Sequence, residues 1–233
     1  MNIKTFLTHV IPCILCLFMS ANVNAQDFNK VFSDSTLRID YIFSGNANQQ
    51  HIAVDQLNVM PRWYGKKQRL AELPMEGNGQ ITVRDHHTKR TLYRNSFSTL
   101  FQEWLTYDEA KHTSRAFENV FLVPMPKDTV DITVTLNDNR RETMTQQTHT
   151  VAPSDILIKH IGERNRTPFE TLQTAQDTSR CIHIAFLAEG YRTDEMDTFL
   201  KDAAEATEAL FAHEPFKDMR NRFNIIAVKA PSA

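Results

Sequence analysis

Beyond its amino terminus, the chain opens on alternation. Leu37, Ile39, Tyr41 and Phe43 are separated by Arg38, Asp40 and Ile42, so apolar side chains recur at every second position. Successive residues of a strand face opposite sides, and a period of two marks a strand with one face on a core. Ser44, Gly45 and Asn46 end it. Ile81 and Val83 begin another, and Asp85, His86, His87 and Thr88 make a polar turn into Thr91, Leu92 and Tyr93. Residues 117–123 read as a further strand, stopped by Pro124 and Pro126. Val130, Ile132, Val134 and Leu136 alternate cleanly, and Asn137, Asp138 and Asn139 turn the chain into a polar partner strand over residues 143–151. Residues 97–110 suit a short helix instead. Short strands at this spacing, joined by turn residues, predict an antiparallel β-sandwich over residues 26–151.

The pattern changes from residue 152. Pro153, Ser154 and Asp155 mark a junction, and the polar run over residues 163–180 reads as loop, so 152–180 is expected to be a linker. Residues 182–188 form an almost continuous apolar run, as a strand buried on both faces does. Gly190 breaks it. Thr193 stands where a hydroxyl can cap a helix, with Asp194 and Glu195 on the positive end of the helix dipole. Met196, Phe199, Leu200, Ala203, Leu210 and Phe211 then recur at helical spacing, with Asp197, Lys201, Asp202, Glu205 and Glu208 between them. Pro215 stops the helix, and residues 223–228 read as a second buried strand. Strand, helix and strand predict a βαβ unit with parallel strands and a right-handed crossover. Two parallel strands are not a finished sheet, so 181–233 is expected to be the truncated start of an α/β domain. The expected fold class is α+β: an antiparallel β-sandwich followed by an incomplete α/β (βαβ) unit.

The amino terminus adds a destination. Lys4 precedes an apolar stretch over residues 6–19, and the small polar run 20–25 ends in Val23, Asn24 and Ala25. A short basic region, an apolar core and a small-residue site form a secretory signal peptide, residues 1–25, with cleavage between Ala25 and Gln26. The apolar stretch falls short of the roughly 20 residues a membrane span needs. Export to the periplasm, cell surface or medium follows as an expectation. Cleavage removes Cys13 and Cys16 and leaves Cys181 alone, so no intrachain disulfide can form in the mature chain. The formal charge of −2 becomes −3 without Lys4, which gives no basic footprint for nucleic acid. No later stretch is long and apolar enough to span a membrane.

Candidate chemistry is sparse. A common zinc peptidase site needs His-Glu-x-x-His on a helix, so that two imidazoles share one face and the carboxylate activates water. The one His-Glu pair is His213-Glu214. Pro215 follows it, and Lys217 stands where the second His is required. Cys181 and His183 share one face of the predicted buried strand and read as a buried thiol and a core histidine. Glu189, Gly190 and Tyr191 lie at the carboxyl end of that strand, where ligands gather in open α/β sheets, and are candidate cleft-lining residues. Gly190 serves the turn equally well. His86 and His87, among Arg84, Lys89 and Arg90, read as a solvated loop. Trp63, Tyr64, Gly65, Lys66 and Lys67 mix aromatics with charge, a cluster that binds a sugar or peptide or packs an aromatic beneath a sheet edge. No Gly-x-Ser-x-Gly elbow, phosphate-binding Gly-rich loop or mature Cys-x-x-Cys pair occurs. No catalytic residue and no metal ligand is assigned in this chain.

Ordered stretches along both halves resemble one family. Leu37-Arg38-Ile39-Asp40-Tyr41, Ser44-Gly45-Asn46, residues 97–104 with Asp108-Glu109-Ala110, and Val123-Pro124-Met125-Pro126 are similar to the amino-terminal domain of the IgA peptidase family of secreted bacterial zinc metallopeptidases. Ala188-Glu189-Gly190-Tyr191, Phe199, Leu210-Phe211, Glu214-Pro215-Phe216 and Arg222-Phe223-Asn224 resemble the start of its catalytic domain. The resemblance implies an amino-terminal β-sandwich, a zinc-dependent catalytic domain whose His-Glu-x-x-His lies beyond residue 233, and a protein or peptide substrate. Zinc is thus expected for a full-length parent and for no residue here. Two functions remain open at this point. One is the amino-terminal fragment of an exported zinc endopeptidase. The other is a non-catalytic exported β-sandwich module that binds a protein or glycan surface.

Overall fold

A computed structural model describes residues 27–73, 75–164, 166–178 and 180–232. The expected signal peptide and its Ala25–Gln26 cleavage site lie outside the described residues.

Asp27 caps a one-turn helix, α1 (Phe28–Val31), by accepting the Asn29 N–H at 3.1 Å. The chain then enters β1 (Phe32–Gly45), which pairs antiparallel with β2 (Gln50–Pro61). Two shorter strands follow, β3 (Gly79–Asp85) and β4 (Thr91–Phe97). A short helix, α2 (Leu100–Trp104), and a 3₁₀ turn, Asp108–Lys111, fill the stretch expected to be helical. Thr99 caps α2, its hydroxyl accepting the Gln102 N–H. Next come β5 (Arg115–Pro126), β6 (Val130–Asn137) and β7 (Thr143–Val151). One sheet has the order β4-β3-β6-β7, and the other begins β5-β1-β2.

These two sheets share one core, because alternation points the apolar side of each at the other. Leu37, Ile39, Tyr41 and Phe43 of β1 are fully buried against Ile81, Val83, Ile132, Val134 and Leu136 of β3 and β6. Phe43 ties the layers to α2 through ring contacts with Phe97, Phe101 and Phe121. Pro124 and Pro126 do not stop β5 where expected. They pair with Thr36 and Phe32 on its last turn of ladder, and β5 is an edge strand, where a missing N–H leaves no partner wanting.

The region expected to be a linker holds structure. Ile158 is buried in the same core, and β8 (Lys159–His160) pairs parallel with β2 beside Asn58 and Val59, completing the order β5-β1-β2-β8. Further on, β9 (Phe169–Gln173) joins a separate sheet with β10 (Ile182–Leu187) and β11 (Phe223–Val228). Its order is β10-β11-β9. β10 and β11 are parallel, as the βαβ pattern predicts, and β9 is antiparallel to β11. The crossover helix α3 (Met196–Phe211) buries Phe199, Ala203, Thr207 and Phe211. Phe199 and Ala203 pack with Ala188 and Ala227, and Phe211 with Phe223 and Ile225, in two small clusters. The chain is mostly β, with antiparallel sheets and a late helix, an α+β fold.

Two local expectations need correction. β10 is not buried on both faces: Ile182 is 51% and Leu187 63% exposed. A strand is buried only with a neighbour on each side and a layer on each face, whereas β10 is an edge strand with α3 on one face. Thr193 does not cap α3. Residues Thr193–Glu195 form a 3₁₀ turn first, and the Glu195 carboxylate accepts the Arg192 N–H at 2.9 Å.

Candidate functional site at the junction of the two sheet systems

The cleft candidates sit where the parallel strands end. Gly190 has φ +87°, a left-handed conformation natural to glycine, and its N–H donates to Ser232 Oγ at 2.7 Å. The Ser232 N–H donates to the Tyr191 carbonyl at 2.9 Å, joining the segments that follow β10 and β11. Tyr191 OH donates to Asp202 Oδ2 at 2.8 Å, which pushes the phenol up, and its ring rests on Phe199. Tyr191 is therefore a strut between the turn and α3. Glu189 is exposed.

A different constellation forms at the other end of β10. After β2, Arg62 takes φ 63° and swings the next residue inward. Trp63 is buried, its ring edge against Tyr93, and its Nε1–H donates to the Lys66 carbonyl at 3.1 Å. Gly65 lies flat on that indole: a Cβ there would come within 2.2 Å of Trp63 Cζ2, so the loop closes only around glycine. This buried aromatic is one of the two roles the sequence allows for the cluster. Its neighbour Tyr64 is 63% exposed and meets the His183 ring at 5.7 Å, bridging the amino-terminal sheets and β10.

Beneath that contact is a cavity of about 310 Å³ lined by the loop residues 63–68 together with Thr178, Arg180, Cys181 and His183. Cys181 Sγ lies 3.4 Å from His183 Nε2 and accepts from Asn224 Nδ2 at 3.2 Å. Cys181 is half-buried at a rim rather than inside a strand core. Burial first, then the Asp177 charge, pushes its thiol up, so it stands as a protonated thiol and not as a thiolate nucleophile. The sequence places Cys181 and His183 on one strand face. It does not bring Arg180 to Trp63–Lys67, because only tertiary packing joins those segments.

The remaining candidates are structural. His86 Nδ1 lies 2.7 Å from Asp131 Oδ1, and Lys89 and Thr150 also reach that carboxylate. Lys89 first and His86 next hold the Asp131 carboxyl far below its usual range. His213 follows α3 on an exposed turn. Among the described residues, no three His, Cys, Asp or Glu side chains converge to hold a metal ion. No described helix is long and apolar enough to cross a membrane.

Residues 27–148 match the family described as Peptidase M64 N-terminus, and residues 170–233 match IgA Peptidase M64. The chain belongs to the M64 peptidase family. No curated protein matches it.

Proposed function

We propose that this chain supplies the amino-terminal accessory region and the first catalytic-domain elements of an exported zinc-dependent endopeptidase. The observation that carries this reading is the pair of family matches in peptidase order, joined to a parallel βαβ unit at 182–228. The residues here then do not hold zinc. They build the sheet beside which a zinc site is completed by His-Glu-x-x-His from further sequence. Glu189, Gly190 and Tyr191 stand at the strand ends that face such a cleft. Export rests on the signal-like residues 1–25.

The test uses the natural gene product. The protein is purified from its source, its amino terminus and mass are determined, and bound zinc and cleavage of casein are measured with and without a chelator. The expected result is a chain starting at Gln26, extending past Ala233, with about one zinc per chain and proteolysis lost on chelation. A product ending at Ala233 that neither binds zinc nor cleaves casein overturns the proposal and favours a binding module.

A further inference from the structure

We propose that the cavity between the 63–68 loop and β10 is a carboxylate-binding subsite for an acidic peptide segment, with Arg180 as its principal anchor. That the occupant is a peptide rests on the peptidase reading above; the preference for a carboxylate does not.

The first argument is charge. Among the described residues, the cavity wall carries the cations Lys66, Lys67 and Arg180 and no Asp or Glu, in a chain whose formal charge is negative. A wall of one sign raises the local concentration of the opposite charge. The second is availability. Lys67 is held by Asp34 at 2.8 Å, and Lys66 Nζ donates to the Glu72 carbonyl at 2.7 Å. Both ammonium groups are fixed as parts of the wall. Burial pushes Lys66 down, so a neighbouring carboxylate would relieve a charge now poorly solvated. Arg180 differs: among the described residues, no carboxylate forms an ion pair with its guanidinium, which stands exposed at the border of this cavity and a second one lined by Asp177 and Arg222. A guanidinium fork receives a carboxylate through two parallel hydrogen bonds.

The third argument is shape. The pinned indole of Trp63 and the close approach at Gly65 fix the loop, so Tyr64 is presented rather than mobile. Its exposed ring offers a flat apolar wall for the methylene stem of a glutamate or a backbone segment. The walls are a loop and the amino end of a strand. α3 begins beyond the opposite, carboxyl end of β10, so no helix amino terminus is available to receive a phosphate dianion. A phosphate would have only the same side chains to hold it, so the comparison with inorganic phosphate separates the two anions.

The experiment is isothermal titration of the full chain with a blocked six-residue peptide carrying two central glutamates. Three comparisons accompany it: the glutamine version, the glutamine version with a free carboxyl terminus, and inorganic phosphate. Alkylation of Cys181 by iodoacetamide, followed by mass spectrometry, reports occupancy of the cavity that the thiol lines. The glutamate peptide is expected to bind at least about tenfold more tightly than the blocked glutamine peptide and to slow Cys181 alkylation several-fold. Binding of the glutamine peptide only when its carboxyl terminus is free also supports the site and assigns its carboxylate to a chain end. Arg180→Gln is expected to lose the preference, and Arg180→Lys to restore part of it, with unchanged thermal transitions. Equal binding of glutamate and blocked glutamine peptides overturns the proposal, as does protection of Cys181 by phosphate alone or full affinity in Arg180→Gln. These readouts need no hydrolysis, so failure of the subsite is distinct from failure of the peptidase reading.

Discussion

The amino-terminal pair of sheets and the carboxyl-terminal three-stranded sheet bury their apolar side chains very differently. In the first, two layers face each other, and Phe32, Leu37, Ile39, Phe43, Val83 and Ile132 have no exposed surface. In the second, α3 covers one face and leaves Ile182, Leu187 and Phe169 half or more exposed. Among the described residues, β10 also presents an unpaired edge with no Lys, Arg, Asp or Glu, no proline and no bulge, the features by which edges are normally protected. A parallel sheet is ordinarily covered on both faces. The contrast separates a region whose core is closed from one whose sheet still offers surface for covering structure.

The largest effect that can test this contrast is a cavity in the closed core. Phe43→Ala is expected to destabilise the amino-terminal region by about 3–5 kcal/mol, because the ring is fully buried among four aromatic neighbours. The counterpart Phe199→Ala on α3 is expected to loosen only the carboxyl-terminal sheet. Urea unfolding followed by tryptophan fluorescence checks this, since Trp63 and Trp104 both report the first region. Equal shifts from the two substitutions would merge the two regions into one cooperative unit.

A smaller effect is set by pH. Tyr41 OH lies 2.6 Å from His149 Nε2, and burial pushes the phenol up and His149 down to about 4. The tyrosine therefore donates to a neutral imidazole. As pH falls below the usual 6.5, the unfolded chain takes up a proton that the folded ring refuses until about 4. The stability contributed by the neutral ring is full above 6.5 and is lost progressively across that window, an effect on the order of 2–3 kcal/mol. His149→Phe is expected to flatten that part of the urea-midpoint profile. An unchanged profile would remove His149 as its source.

A smaller effect again sharpens the boundary of the closed region. A segment covering residues 27–161 is expected to unfold cooperatively and to exceed residues 27–151 by about 1–2 kcal/mol, the worth of burying the Ile158 side chain. β8 and the Ile161 N–H bond to the Val59 carbonyl at 2.9 Å would be restored with it. Identical thermal transitions for the two segments would place the boundary at 151.

What was legible in the sequence follows the same contrast. β1, β6 and α3 stand out because their periodicity is unbroken. β2 does not: Ile52 and Val54 face inward, a bulge opposite Asp40 and Tyr41 inserts a residue, and Leu57 and Val59 resume one position out of phase. β9 hides because Leu172 is its single residue in the clusters under α3. β10 reads as buried because an apolar run records side-chain type and not which layers are present. The Trp63–Lys67 cluster was visible as chemistry, but its meeting with Arg180, Cys181 and His183 depends on how the two sheet systems dock.

Amide hydrogen exchange of the full chain, read strand by strand, tests the contrast most directly. Amides of β1, β3 and β6 in hydrogen bonds between sheet neighbours are expected to exchange only through global opening of the first region. Those of β10 and β11 are expected to exchange at least about tenfold faster, through local opening of a sheet covered on one face. Equal protection in β10 and β1 would contradict the account, because it would require the carboxyl-terminal sheet to be closed by structure among the residues described.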